Sequence, residues 1–335
     1  MVNAPVALVP VLTLLAGLFF MDSFKLVSVR AVLASIGAGA AAALAAWWCS
    51  DTIVAALPIP LIVMTRYMGP VIEETLKASI IVILIARGRI AFPVDAAVQG
   101  FAVGAGFALV ENIVYLQALP SATLMLWVVR GFGTAVLHGA TTAVFAMICR
   151  AMADRHPDRL LAVALPAWGV AVVIHSGFNH LLIAPVLQTL ALLVVLPLVV
   201  ALVFERSERA TREWVGAGLD LDIELLQLIE SPAFEYTRFR TYLHELRARF
   251  PGRVVADMFC LLRIELELSI QAKAMLLARE AGVNVPTDGD LEAALAERST
   301  LQRSIGRTGL LALKPVQVTT HRDTWHRHLL SQAKR

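Results

Sequence analysis

Five charged side chains and three histidines lie inside stretches that are otherwise apolar. Glu73, Glu74 and Lys77 share one stretch, Glu111 and Asn112 lie in the next, Arg130 and His138 in a third, and His175, Asn179 and His180 in a fourth. A charge near the centre of a bilayer costs about 2.5 to 3.5 kcal/mol even on the lenient scale of insertion experiments. Mutual pairing relieves part of that cost: Glu73 and Lys77 are spaced i,i+4 and Glu74 and Lys77 i,i+3, so one carboxylate holds the lysine and the other turns inward. The spacing leaves open which is which. A single histidine in a span, such as His138, is more often a hydrogen-bonded core residue than a catalytic one. His175 and Asn179 share one helix face at i,i+4, and with carboxylates on two other spans they form a cluster drawn from at least three helices. Proton relays and hydrolytic sites are both built this way.

The elements that must position these residues follow from composition. Of 335 residues, 58% are hydrophobic and 16% charged, with mean hydropathy +0.71, whereas soluble domains carry about 25% charged residues. Ten of the 29 Lys and Arg and eight of the 26 Asp and Glu fall in the first 204 residues. The chain therefore divides into a membrane part, 1–204, and a charged, mostly α-helical soluble part, 205–335, in an all-α architecture. The net charge of +3 is small and evenly spread, which sets nucleic acid aside as a partner. Cys49, Cys149 and Cys260 lie too far apart for a zinc motif or a disulfide framework.

Seven apolar stretches are long enough for a core of roughly 30 Å, which takes about 20 helical residues. They cover 4–21, 31–49, 61–86, 94–118, 123–149, 159–182 and 184–204. The first reads as a retained span, since no Lys or Arg precedes it and no small-x-small site follows Phe19, Phe20 and Met21. Small residues in the second and fourth, including Gly37, Gly39, Gly100, Gly104 and Gly106, predict close helix approach. Pro58, Pro60 and Pro70 predict a broken start to the third. Beyond the spans, Ser231-Pro232 predicts a helix start running to about Phe250, and Gly282 the end of a helix from about Val254. The alternation Ile264, Leu266, Leu268, Ile270 is compatible with a strand, although its neighbours favour helix. No motif in this tail points to a cytoplasmic partner.

Neither H-E-x-x-H nor G-x-S-x-G occurs, and the adjacent His175 and Ser176 diverge by about 100° around a helix. Water activated by a carboxylate remains, with or without a metal. The residues resemble the PrsW-type intramembrane protease family, within the superfamily of CAAX prenyl endopeptidases. The resemblance rests on Glu73-Glu74-x-x-Lys77, Phe107-x-x-x-Glu111-Asn112, His138, and His175-x-x-x-Asn179-His180, in the family's order in successive spans. It covers about 110 residues, from Glu73 to His180. It implies an endopeptidase acting on a membrane-embedded or membrane-proximal protein, such as a single-span anti-sigma factor cut at an extracytoplasmic site. The superfamily's first motif is usually E-E-x-x-x-R, and its second usually ends in His where this chain has Glu111. That departure makes CAAX processing the less expected substrate class.

Peptide hydrolysis needs a base for water and donors for the developing oxyanion. Glu73 or Glu74 is the candidate base and His175 and Asn179 the donors. Glu111 can orient the water or a histidine, the Asn112 amide can bond a substrate backbone, and Lys77 and Arg130 can hold the carboxylates in place. A zinc site could draw on His138, His175 and Glu111. His180 follows His175 by five residues and points about 140° away on a straight helix, so the fixed two-histidine helix of zinc proteases is missing. The expectation is glutamate-activated water without a cofactor, with zinc as the alternative. A proton-coupled transporter is a competing function, disfavoured by the lack of an evident inverted repeat; a catalytically silent scaffold is another.

Orientation in a bacterial-type inner or plasma membrane follows from the basic residues. Lys25, Arg30, Arg87, Arg89, Arg150, Arg155, Arg159, Arg206, Arg209 and Arg212 all fall on one side, and the opposite loops at 51–60, 117–123 and 183–185 carry none. Arg66, just inside the third span, is the exception. The N-terminus is expected outside and the tail in the cytoplasm. Reporter fusions check this: a reporter active only outside the cytoplasm should stay silent when fused after Arg335, and its activity there would overturn the topology.

Overall fold

The computed structural model describes residues 3–22, 26–156, 159–283 and 289–313. Lys25 and residues 314–335 of the tail lie outside them. All regular structure among the described residues is helical. Contacts divide the chain into two units, Met1–Arg209 and Ala210–Arg335. The expected boundary at Phe204 falls, like the observed one, inside a single long helix, α9.

In the first unit the helices are α1 (Asn3–Met21), α2 (Val29–Ala56), α3 (Leu61–Val63), α4 (Gly69–Ala86), α5 (Pro93–Ala118), α6 (Leu124–Val128), α7 (Ala135–Arg155), α8 (Leu160–Asn179) and α9 (Pro185–Glu230). Each of the seven apolar stretches is helical. Six helical runs among the described residues are long and apolar enough to cross a membrane. The third stretch differs: Glu73, Glu74 and Lys77 reduce its hydropathy, and the π-helical turn Met64–Met68 separates α3 from α4. A second π turn, Val129–Thr134, joins α6 to α7.

Pro70 explains the polar contacts of the first π turn. Having no N–H, it leaves a carbonyl of the preceding turn without its helical donor. Ser176 Oγ donates to the Arg66 carbonyl at 2.6 Å and Asn179 Nδ2 to the Thr65 carbonyl at 3.0 Å. The broken start of this span is thus held by the end of α8. At its other end, α4 stops at Ala86, two residues before Gly88, whose φ of 65° suits glycine, and Arg89 N–H caps the Leu84 carbonyl.

Helix α5 is the centre of the bundle, buried along most of its length against α2 and α7. Its glycines permit this. A Cβ on Gly104 would lie 2.1 Å from the His138 carbonyl oxygen, and one on Gly106 would lie 2.0 Å from that of Ile36. Backbone meets backbone at both points, so α5 cannot approach α2 and α7 as closely with any larger residue.

The second unit contains the last part of α9, α10 (Arg238–Leu246), α11 (Gly252–Glu280) and α12 (Gly289–Leu313). Its core gathers Met258, Leu261 and Leu313. The Ile264 to Ile270 alternation is helical, within α11, and Gly282 at φ 74° follows its end as expected. Ser231-Pro232 opens only the 3-10 turn Pro232–Tyr236; α10 starts after Thr237, whose hydroxyl accepts from Arg240 N–H at 3.2 Å. A side-chain cap at Thr237 outcompetes the proline signal. Lys273 Nζ, buried in this unit, donates to Asp222 Oδ2 at 2.7 Å and to the Gly218 carbonyl at 3.0 Å.

The glycine contacts generate a stability prediction. Gly104→Ala should lower the thermal midpoint in detergent micelles by an amount corresponding to about 1–3 kcal/mol, the usual cost of overpacking. Gly37→Ala, where a Cβ meets nothing within 4 Å, should leave it unchanged or slightly raised. Equal midpoints for the two variants would remove the close-approach account.

Candidate active site

The four motif segments meet on one side of α5. Helix α4 brings Glu73, Glu74 and Lys77, α5 brings Glu111 and Asn112, the second π turn and α7 bring Arg130 and His138, and α8 brings His175 and Asn179. They line or back a cavity of about 780 Å³ whose wall includes Glu73, Glu111, Arg130, His138, His175 and Asn179.

Glu74 and Lys77 form the buried ion pair, with side chains 2% and 0% exposed and an Oε1 to Nζ distance of 2.6 Å. The same carboxylate oxygen accepts from Thr141 Oγ1 at 3.2 Å and lies 2.8 Å from His175 Nδ1. One oxygen of Glu74, Oε1, therefore takes all three donors. Lys77 Nζ also lies 3.1 Å from His138 Nδ1 and over the Phe107 ring. Glu73 is the carboxylate left over, and its Oε2 is buried without a hydrogen-bond partner.

These partners fix the histidine tautomers. An ammonium only donates, so His138 Nδ1 accepts from Lys77 and its Nε2 carries the proton, which it donates to Glu111 Oε2 at 2.9 Å. A carboxylate only accepts, so His175 Nδ1 carries the proton and its Nε2 lone pair faces the other way. Glu73 Oε2 lies 3.9 Å from His138 Nδ1 and 3.8 Å from His175 Nε2. One ligand atom from each of Glu73, His138 and His175 falls within 4.8 Å of the others. The residues fit a metal: the His175 Nε2 lone pair, the unbonded Glu73 oxygen and His138 Nδ1, whose lone pair is here taken by Lys77 Nζ, converge. With all five charged groups ionised, three carboxylates face two cations, so the cluster has one negative charge in excess.

Glu111, named above as a candidate ligand with His138 and His175, sits on the far nitrogen of His138, and its other oxygen pairs with Arg130 at 3.2 Å. The Asn112 amide is spent inside the bundle, donating to the Ala7 carbonyl at 2.7 Å and accepting from Arg130 Nε at 3.0 Å. Asn179 lines the cavity one turn beyond His175. His180 is turned away, its Nδ1 on the Ser176 carbonyl and its ring edge-on to Tyr67. Two contributors had no place in the sequence reading. Thr141 lies three residues after His138, a spacing that puts its hydroxyl on the same face, and Tyr115, four after Glu111, stacks under the Arg130 guanidinium at 3.6 Å.

A polytopic helical membrane protein with a histidine and carboxylate cluster between its spans is the class that fold and site define. Residues 14–203 match the PrsW family of intramembrane metalloproteases, more than half of the chain, and the protein belongs to that family. No curated protein and no solved structure matches it.

The buried ion pair makes a testable statement. Lys77→Met leaves Glu74 charged and unpaired and should cost about 3–5 kcal/mol, whereas the double variant Lys77→Met with Glu74→Gln should recover much of that loss. Chemical unfolding in mixed micelles measures both. A double variant as unstable as the sum of the single ones would show that the pair is not coupled.

Proposed function

We propose that the chain is an intramembrane endopeptidase in which Glu73, His138 and His175 hold a zinc ion. The observation that carries this reading is the convergence of an unbonded Glu73 oxygen on two histidine nitrogens. Two histidines and a carboxylate form a catalytic zinc ligand set, and zinc-bound histidines characteristically give their other nitrogen to a carboxylate, the position held here by Glu74 and Glu111. Zinc bound there would polarise the attacking water or the scissile carbonyl.

The chain's own groups supply the remaining requirements. Glu74 and Glu111 hold the two histidines in the tautomers that turn lone pairs toward Glu73. Glu73 takes the proton of the attacking water, through its second oxygen where Oε2 is a ligand. The Asn179 amide has two hydrogens, and the one not given to Thr65 can donate to the developing oxyanion. The Arg130 guanidinium pairs with Glu111 and holds it in place. One contact favours a second reading: Lys77 Nζ occupies the His138 Nδ1 lone pair, which leaves Glu73 to activate water without a metal.

The substrate proposed is a single-span membrane protein of the anti-sigma type, which the family resemblance supports. The site lies where α4 begins and α5 and α8 end, the side that the basic loops assign to the exterior, which accords with an extracytoplasmic cut. Co-expression with candidate single-span proteins tests the activity, and Glu73→Ala should reduce cleavage about 10²-fold or more while the protein still inserts. Stoichiometric zinc in purified protein, with activity lost on chelation and restored by zinc, decides for the metal. Activity that persists through prolonged chelation decides for the second reading, and full activity in Glu73→Ala rejects both.

A further inference from the structure

We infer that Asn112 and Arg130 are positioning residues that set the zinc affinity of the site through Glu111 and His138, with the main chain of α1 as their anchor. This rests on the zinc reading above. Three hydrogen bonds and one ion pair run in series. Asn112 Nδ2 donates to the Ala7 carbonyl at 2.7 Å, Arg130 Nε donates to Asn112 Oδ1 at 3.0 Å, Arg130 and Glu111 pair at 3.2 Å, and His138 Nε2 donates to Glu111 Oε2 at 2.9 Å.

The direction of each link matters. Asn112 is 1% exposed, so an apolar residue there would leave the Arg130 Nε–H without its acceptor in a water-poor setting. A guanidinium donates from several nitrogens in one plane, which lets Arg130 hold Asn112 and Glu111 at once; a lysine ammonium is a point charge that cannot reproduce both angles. Glu111 has a carboxylate oxygen for each neighbour. Held between Arg130 and His138, it fixes the plane of the imidazole and keeps the proton on Nε2, so that Nδ1 faces Glu73. Ala7 precedes the segment 14–203 that matches the family. The anchor therefore lies in the chain's first helix, where Gly131, next to Arg130, also touches backbone: a Cβ there would lie 2.0 Å from the Val6 carbonyl oxygen. Pro10 donates no N–H to Val6, which leaves that carbonyl facing the π turn. Helix α1 thus holds both ends of the Asn112–Arg130 contact.

The test is zinc affinity of the full-length protein in micelles, measured by competition with a zinc-binding dye, with thermal midpoint and helix content read on the same samples. Asn112→Leu and Arg130→Lys should each weaken zinc binding about 10- to 100-fold, the range for outer partners of metal-bound histidines, and retain wild-type helix content. Variants with lowered midpoints and zinc affinity within twofold of wild type would show a merely structural role and overturn the inference alone. Wild-type protein that binds no zinc would overturn the zinc reading and this inference with it. Should Asn112→Leu fail to insert, Arg130→Lys, which keeps the charge, decides on the same readout.

Discussion

A carboxylate and an ammonium buried together between apolar helices, Glu74 and Lys77, determine what every other polar group near them can do. Neither tolerates burial alone, and at 2.6 Å each neutralises the other. Once Glu74 is committed to Lys77 it serves as an acceptor for His175 and Thr141, and Glu73, one residue earlier on the helix, is turned to the cavity. Lys77 in turn reaches His138. The division of labour between two adjacent glutamates, which the i,i+3 and i,i+4 spacings left open, is thus set by which of them the lysine takes. The same choice orients both imidazoles.

A second constraint acts through the missing N–H of Pro70. A helix in hydrocarbon must satisfy its backbone internally or through neighbours, and two carbonyls of the π turn before the proline, those of Arg66 and Thr65, are met by Ser176 and Asn179 of α8. The defect consequently ties the end of α8 to the start of the third span. His175 lies one turn before Asn179 on that helix and faces Glu74 from there. A backbone interruption that would be costly in isolation becomes the contact that brings the fourth motif to the first.

Much of this was legible in the chain. The spans followed from apolar length, because the bilayer imposes that length, and the motif residues stood out because charge is excluded from lipid. The small residues of the second and fourth spans signalled close approach, and Gly104 and Gly106 provide it. What did not follow were features with no periodic signature. The first π turn depends on a single missing donor, at Pro70, and on a neighbouring helix. Asn112 reads as a free amide beside Glu111, yet its partner, the Ala7 carbonyl, belongs to a helix more than 100 residues earlier. In the tail, Ser231-Pro232 is a sound start signal that lost to Thr237, whose hydroxyl caps the helix that forms.

The histidines show most clearly why the candidate metal group was hard to foresee. Zinc helices with two ligands one turn apart carry their geometry in the sequence, because the helix itself fixes the distance. His138 and His175 sit on different helices, so their separation is a property of packing. Here packing is controlled at a definite point, since Gly104 of α5 abuts the carbonyl of His138 itself. Any side chain at Gly104 would push the His138 backbone outward and move its imidazole relative to Glu73 and His175. The same contact that allows the bundle to close therefore also sets the spacing of the three converging groups, and in this fold the stability of the core and the geometry of the site are one requirement.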